Sequence, residues 1–128
     1  MLGYITLGVS DVAKARAFYE PILGALGMTR NAAFSSDDHL TFYEQAKGRG
    51  AMLAIGKPYD KNPATFGNGT MVALAAADRA TVDKVHAQAL AAGAQDEGAP
   101  GVRGAPFYGA YFRDHDGNKF CVFNMTGA

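Results

Sequence analysis

Reactive side chains are few in this sequence of 128 residues, and they are scattered along it. Cys121 is the single cysteine, and the histidines are His39, His86 and His115. A thiol becomes a good nucleophile where a histidine, a cation or a helix N-terminus lowers its pKa, and no such neighbour of Cys121 is evident. We therefore expect Cys121 to be a small apolar filler. We expect His39 and His115 to lie in or beside turns and His86 to pack on a helix.

The segment around Arg103 combines a charge with several rings. Arg103 lies among glycines and prolines, and Phe107, Tyr108 and Tyr111 follow it. A guanidinium beside aromatic rings suits an anionic or planar ligand. A surface loop without any such role fits the same residues, so both interpretations stay open.

The composition argues against several classes of partner. Twelve basic and twelve acidic residues cancel, and no basic stripe favours nucleic acid or an anionic membrane. No apolar run reaches the roughly 18–20 residues that span a bilayer, and the N-terminus lacks a signal-peptide pattern. One cysteine permits no internal disulfide, so we predict a cytoplasmic protein.

The first elements that the sequence predicts are a strand and a helix. Residues 4–9 alternate in size like a strand, and Ser10 or Asp11 can cap the helix that follows. Pro21 predicts a bend or an early end of that helix, because proline lacks a backbone N–H. The helix carries one apolar stripe, formed by Val12, Ala15, Phe18, Tyr19, Ile22 and Leu26.

Three more strands and a linker follow. Polar and glycine-rich turns separate the predicted strands 28–34, 39–45 and 51–56. Residues 57–69 contain two prolines and two glycines with little periodicity, which is typical of a linker.

The same order of elements then returns. Residues 71–76 predict a strand and Asp78 a second helix cap, whereas 96–106 has the composition of a loop. Strands are predicted at 107–113 and 119–124, on either side of a turn. The second helical stripe consists of Val82, Val85, His86, Ala89 and Leu90.

A fixed spacing indicates that the two halves are copies. Met71 follows Tyr4 by 67 positions, and Asp78 follows Asp11 by the same 67. An offset kept through strand, cap and helix is typical of a duplicated unit. We predict a single domain, 1–128, made of βαβββ repeats at 1–56 and 70–128 and the linker 57–69.

Two such repeats predict an α+β fold, a curved eight-stranded mixed sheet with both helices on its outer face. A concave, partly apolar face of this kind is where small ligands bind. Strand alternation and the Arg103 loop define the predicted ligand pocket. It consists of Tyr4, Thr6, His39, Tyr43, Leu53, Met71, Arg103, Phe107, Tyr111, Cys121 and Phe123.

Three segments resemble the vicinal oxygen chelate superfamily, which includes glyoxalase I, bleomycin resistance proteins, extradiol dioxygenases and fosfomycin resistance enzymes. They are LGVSDVAKARAFY at 7–19, GNGTMVAL at 67–74 and FRDHDGNK at 112–119. The resemblance covers nearly the whole chain. It implies the paired βαβββ fold and a homodimer, or a chain that fuses two such pairs.

The enzymes of that superfamily hold a divalent metal through histidine at the first strand of a repeat and glutamate at its last. The resemblance assigns those positions here to Tyr4, Met71, Leu53 and Cys121. None of these is a histidine or a carboxylate, and two potential donors among four do not make a metal site. We therefore expect no metal at the usual place and no cofactor. A displaced site that uses His39 stays open.

Three functions remain in view. The first is a metal-free protein that binds a small organic molecule, as bleomycin resistance proteins do, with no nucleic acid or membrane partner. The second is a metal-dependent lyase or dioxygenase of the glyoxalase I type with a displaced metal site. The third is a metal-free enzyme that uses Tyr4 or Cys121 as acid, base or nucleophile. The sequence neither supports nor excludes this function, so the catalytic residues stay unknown.

Overall fold

The computed structural model of the protein describes residues 1–46 and 48–128. These residues form two compact units, Met1–Phe66 and Gly67–Ala128. Each unit contains one α-helix and a four-stranded mixed sheet in the order β-α-β-β-β. The predicted α+β fold and its duplication are confirmed, with the eight strands divided into one sheet per unit. The grouping of both repeats into a single domain remains a prediction.

Unit 1 has the strand order β1-β4-β3-β2, in which only β1 and β4 run parallel. Its elements are β1 (Tyr4–Gly8), α1 (Val12–Ala25), β2 (Met28–Arg30), β3 (Leu40–Gln45) and β4 (Met52–Gly56).

A side-chain cap marks the start of helix α1, and a glycine follows its end. The Asp11 carboxylate accepts a hydrogen bond from the Lys14 backbone N–H at 3.0 Å, so Asp11 is the cap. The helix continues past Pro21 to Ala25, and the expected early end is wrong. Gly27 then takes a φ of 81°, a left-handed conformation that suits glycine after a helix.

Unit 2 has the equivalent order β5-β8-β7-β6, again with one parallel pair, β5 and β8. Its elements are β5 (Met71–Ala75), α2 (Arg79–Ala91), β6 (Gln95–Val102), β7 (Tyr108–Arg113) and β8 (Lys119–Asn124). The Asp78 carboxylate caps α2 by accepting from the Thr81 N–H at 2.7 Å and from its hydroxyl at 2.6 Å.

Two predicted segments need correction. Most of 96–106, predicted as a loop, is strand β6. It forms a strand because it pairs with β7, and the ladder contains two irregularities in register, between Asp96 and Gly98 and between Gly98 and Gly101. The strand predicted at 28–34 ends at Arg30, and Asn31 starts a turn that its side chain closes onto the Phe34 N–H.

Each core lies between one sheet face and one helix. In unit 1, Tyr19 and Leu23 of α1 are fully buried, as are Tyr43 and Ile55 of the sheet. In unit 2, the rings of Phe112 and Phe120 are fully buried and stack at 5.5 Å between centroids. No helix among the described residues is long and apolar enough to cross a membrane.

Candidate functional site

The open face of each sheet, which lies opposite its helix, carries most of the predicted pocket residues. In unit 1, Tyr4 and Thr6 alternate with the buried Leu7 and so lie on the open face. The Tyr4 ring, 50% exposed, meets the Phe42 ring edge-on at 5.2 Å. Phe34 meets Phe42 in the same way at 6.3 Å. This open face is therefore aromatic.

Leu53 and Tyr43 do not lie on that face, and their predicted placement is wrong. Leu53 pairs with Ile5 and with Tyr43, so all three point to the opposite side from Tyr4. Leu53 is 2% exposed and Tyr43 is fully buried under α1. The first-half equivalent of Cys121 is Ala54, which lies 67 positions before it.

Tyr43 carries an unusual polar atom into the core of unit 1. Its hydroxyl is buried and has no hydrogen bond of ordinary geometry, although the Arg30 guanidinium is near enough to lower its pKa in part. Burial, assisted by the nearby Glu20 carboxylate, raises the pKa of Tyr43 to about 12. The phenol is therefore neutral at pH 7, and it belongs to the core rather than to a pocket.

A cavity of about 1250 Å³ lies between the sheet of unit 1 and the linker. Thr6 and Gly56 form its floor, whereas Tyr59 and Ala64 come from the linker. His39 lines the cavity and is exposed, just before β3 begins. We call this space the linker cavity.

In unit 2 the strand register brings the predicted residues together. Cys121 pairs with Ala73 on one side and with Tyr111 on the other, so all three share the open face. Met71 and Phe123 lie on the same face by alternation. The prediction that Tyr111 is opposite Cys121 is confirmed.

The hairpin between β6 and β7 adds Arg103 and Phe107 to this face. It is closed by hydrogen bonds between the Arg103 N–H and the Phe107 carbonyl at 2.9 Å, and between the Phe107 N–H and the Gly104 carbonyl at 2.8 Å. The guanidinium carbon of Arg103 lies 5.7 Å from the Tyr111 ring centroid. Phe107 stacks on Phe123 at 5.2 Å with an interplanar angle of 8°.

Lys119 is a residue of this face that sequence reasoning missed. Its ammonium nitrogen lies 5.7 Å from the centroid of the same Tyr111 ring. It precedes Cys121 by two positions in β8, so strand alternation was the signal that could have found it. We call the set Arg103, Phe107, Tyr111, Lys119 and Phe123 the cationic–aromatic face.

Cys121 lies beneath this face as a neutral thiol. Its side chain is 1% exposed. Burial raises the pKa of the Cys121 thiol, although the Tyr111 hydroxyl and the two cations act in the opposite direction. The pKa of Tyr111 is also raised, first by burial and then by the adjacent thiol. Neither group is activated as a nucleophile or a base at pH 7.

The remaining histidines and the turn motif make local contacts. His86 is 5% exposed on α2, and its Nε2 lies 3.1 Å from Asp96 Oδ1. His115 Nε2 lies 2.9 Å from the Ala92 carbonyl. The Asp114 carboxylate accepts from the backbone N–H of Asp116 and of Asn118, both at 2.9 Å, which closes the β7–β8 turn.

The donor set at the family's metal positions does not fit a divalent metal. With the corrected register, these positions hold Tyr4, Ala54, Met71 and Cys121. Ala54 has no donor atom and Met71 offers only a thioether, which leaves the Tyr4 hydroxyl and the Cys121 thiol as two donors among four positions. Across residues 1–46 and 48–128, no three His, Cys, Asp or Glu side chains come together as a metal site, and this includes the surroundings of His39.

Comparison with known proteins identifies the class to which this fold belongs. The profile of the Glyoxalase/Bleomycin resistance protein/Dioxygenase superfamily matches residues 1–122. The chain therefore belongs to this superfamily.

Solved structures agree. A glyoxalase/bleomycin resistance protein from Albidiferax ferrireducens is similar at 33% identity, with a TM-score of 0.83 over 97% of this chain and 98% of that one. A glyoxalase/bleomycin resistance protein/dioxygenase family enzyme from Burkholderia phytofirmans has 20% identity and a TM-score of 0.77, over 96% and 97% of the two chains. A lactoylglutathione lyase from Agrobacterium tumefaciens has 21% identity and a TM-score of 0.68, over 97% and 92%. The last two likenesses show the fold alone. No curated protein sequence matches the chain.

Proposed function

We propose that this protein binds a small organic molecule on the open face of unit 2 and does so without a catalytic metal. The observation that carries the proposal is the pair of stacked rings, Phe107 on Phe123, beside the half-buried Tyr111. Stacked, partly exposed rings offer a flat apolar surface to a planar ligand. The mismatch between Tyr4, Ala54, Met71 and Cys121 and any metal supports the metal-free part.

The chemistry of the face supports binding rather than catalysis. A metal-free enzyme needs a group whose pKa is moved toward neutrality. The pKa values of Cys121 and Tyr111 are moved away from it instead. No catalytic role is therefore assigned to either residue.

A thermal-shift screen against a panel of flat organic compounds tests the proposal. A ligand at a hundred times its Kd stabilises the folded state by about 2.7 kcal/mol, which raises the melting temperature by several degrees. We expect hits whose shift disappears in Phe123→Ala. The matched control, Phe34→Ala, removes an exposed ring of unit 1 and keeps the shift. Circular dichroism first establishes that both variants fold.

Two results would overturn the proposal. One is a panel without a single hit. The other is a set of hits that bind Phe123→Ala as well as the unchanged protein. The lyase alternative is measured separately, as hemithioacetal isomerisation with added Ni²⁺ or Zn²⁺, and we expect no rate above background.

The protein is further proposed to be a cytoplasmic homodimer, with no nucleic acid or membrane partner. Support comes from the superfamily resemblance, from the buried free thiol of Cys121, and from apolar side chains exposed at Tyr4 (50%) and Met71 (45%). Sedimentation equilibrium tests the oligomeric state. A monomer throughout the micromolar range would contradict the dimer.

A further inference from the structure

Arg103 and Lys119, two cations on the open face of unit 2, have no acidic partner among the described residues. Arg103 and Lys119 each lie 5.7 Å from the Tyr111 centroid, so both positive charges flank a single ring. Within residues 1–46 and 48–128, no carboxylate oxygen lies within 4.0 Å of either cationic group. Arg113, which lies on the same side of β7 as Tyr111, is instead paired with Glu97. Cations that border one ring and have no carboxylate beside them attract an anion.

The Arg103 side chain is held in position by its own hairpin. One guanidinium nitrogen donates to the Ala99 carbonyl, which leaves the other N–H donors available. Two glycines lie beside the guanidinium. A Cβ on Gly101 would lie 2.8 Å from Nη1, and one on Gly98 would lie 3.4 Å from Nη2. The absence of side chains at Gly98 and Gly101 leaves space for the guanidinium beside the Tyr111 ring, and the hydrogen bond to Ala99 holds it there.

A flat apolar surface lies next to these charges. Phe107 and Phe123 stack almost in parallel, and both rings are partly exposed. Gly109 makes the stack possible, because a Cβ there would lie 2.6 Å from the Phe107 ring. The two cations and the two stacked rings thus lie on the same side of the unit 2 sheet.

We propose that the cationic–aromatic face binds a planar aromatic carboxylate, with its anionic group at Arg103 and Lys119 and its ring against Phe107 and Phe123. The inference rests on the proposed function and deepens it by naming the ligand class. A guanidinium can donate two parallel hydrogen bonds to one carboxylate, which gives geometric selectivity over a neutral amide.

Isothermal titration with two matched probes tests the ligand class. 2-Naphthoate carries the charge, and 2-naphthamide has the same ring system without it. We expect 2-naphthoate to bind about tenfold more tightly, and its affinity to fall as NaCl is raised. Arg103→Gln and Lys119→Gln should each weaken 2-naphthoate by about fivefold and leave 2-naphthamide unchanged. Lys84→Gln, an exposed lysine of α2, is the control and should change neither.

The outcomes separate this inference from the proposed function. Equal affinities for the two probes, or no effect of Arg103→Gln and Lys119→Gln, would overturn the anionic ligand class. Neutral hits in the compound panel would still support the proposed function in that case. If 2-naphthoate does not bind at all, the inference is also overturned, and the panel alone then decides whether the face binds anything.

Discussion

The two units place different side chains at equivalent positions of their sheets. Gly56 of unit 1 corresponds to Phe123 of unit 2, and Met52 corresponds to Lys119, each pair 67 positions apart. Unit 1 has no room for a ring at its position, because a Cβ on Gly56 would lie 2.7 Å from the His39 carbonyl oxygen. Unit 2 uses the same position for a ring that stacks on its neighbour.

The sheet faces that the helices cover are instead apolar and buried in both units. Leu53 and Phe120 are equivalent, and both are buried. Ile55 and Val122 are likewise equivalent and fully buried. The duplication therefore retains an apolar core in both copies, whereas the open faces have separated into an aromatic face beside a linker cavity and a cationic–aromatic face. That difference is why we assign binding to unit 2.

The largest effect should come from the shared core position. Phe120→Ala should lower the free energy of unfolding by about 3–5 kcal/mol and Leu53→Ala by about 2–5 kcal/mol, because both changes leave cavities under a helix. Urea denaturation measures both. If Leu53→Ala cost under about 1 kcal/mol, the helix-facing placement of Leu53 would be wrong and the pocket assignment would return.

A smaller loss of folding stability should distinguish the open faces of the two units. Gly56→Ala should cost about 2 kcal/mol, because the added methyl group meets the backbone carbonyl of His39. Gly109→Ala is the matched change in unit 2. It meets only the Phe107 ring, which can turn aside, so it should cost about 1 kcal/mol from the lost stack. Equal costs in urea denaturation would show that the two faces are equally constrained.

The smallest effect concerns the buried Tyr43 hydroxyl of unit 1. The pKa of Tyr43 is about 12 in the folded protein and about 10 in an unfolded chain. Above pH 10 the unfolded state releases this proton first, so stability falls as the pH rises from 10 toward 12. At pH 11 the Tyr43 contribution to that fall is about 1 kcal/mol.

Tyr43→Phe removes that contribution, so the variant should lose less stability than the unchanged protein between pH 9 and pH 11. Unfolding in urea at both pH values gives the comparison. Because the variant also removes a buried hydroxyl that has no hydrogen bond of ordinary geometry, it should be at least as stable at pH 7. A variant that loses as much as the unchanged protein would place the Tyr43 hydroxyl in contact with water.

Much of this fold could be predicted because its signals are local. Asp11 and Asp78 mark helix starts through side-chain chemistry alone, and β8 ends at the predicted Asn124. Strand β6 could not be predicted in this way. Gly98 and Gly101 have the composition of a loop, and only pairing with β7 makes the segment a strand.

The error at Leu53 has a different physical origin. The register pairs Phe42 with Ala54 in unit 1 and Tyr111 with Cys121 in unit 2. The third strands of the two repeats are therefore 69 positions apart, whereas the first strands and the fourth strands are each 67 apart. A slip of one residue moves a side chain to the other face of a sheet, and hairpin length, not composition, sets that register. The placement of Tyr111, Cys121 and Phe123 followed from strand alternation, whereas the position of Arg103 over Tyr111 required the folded hairpin.

The metal content of the protein tests the central claim most directly. The protein is purified without chelator, and its bound transition metals are measured by inductively coupled plasma mass spectrometry, before and after incubation with Ni²⁺ or Zn²⁺ and exhaustive dialysis. Because Tyr4 and Ala54 in unit 1, and Met71 and Cys121 in unit 2, each supply too few donor atoms for a divalent metal, we predict well under one metal ion per chain in both samples. One equivalent of zinc or nickel that resists dialysis would contradict the account.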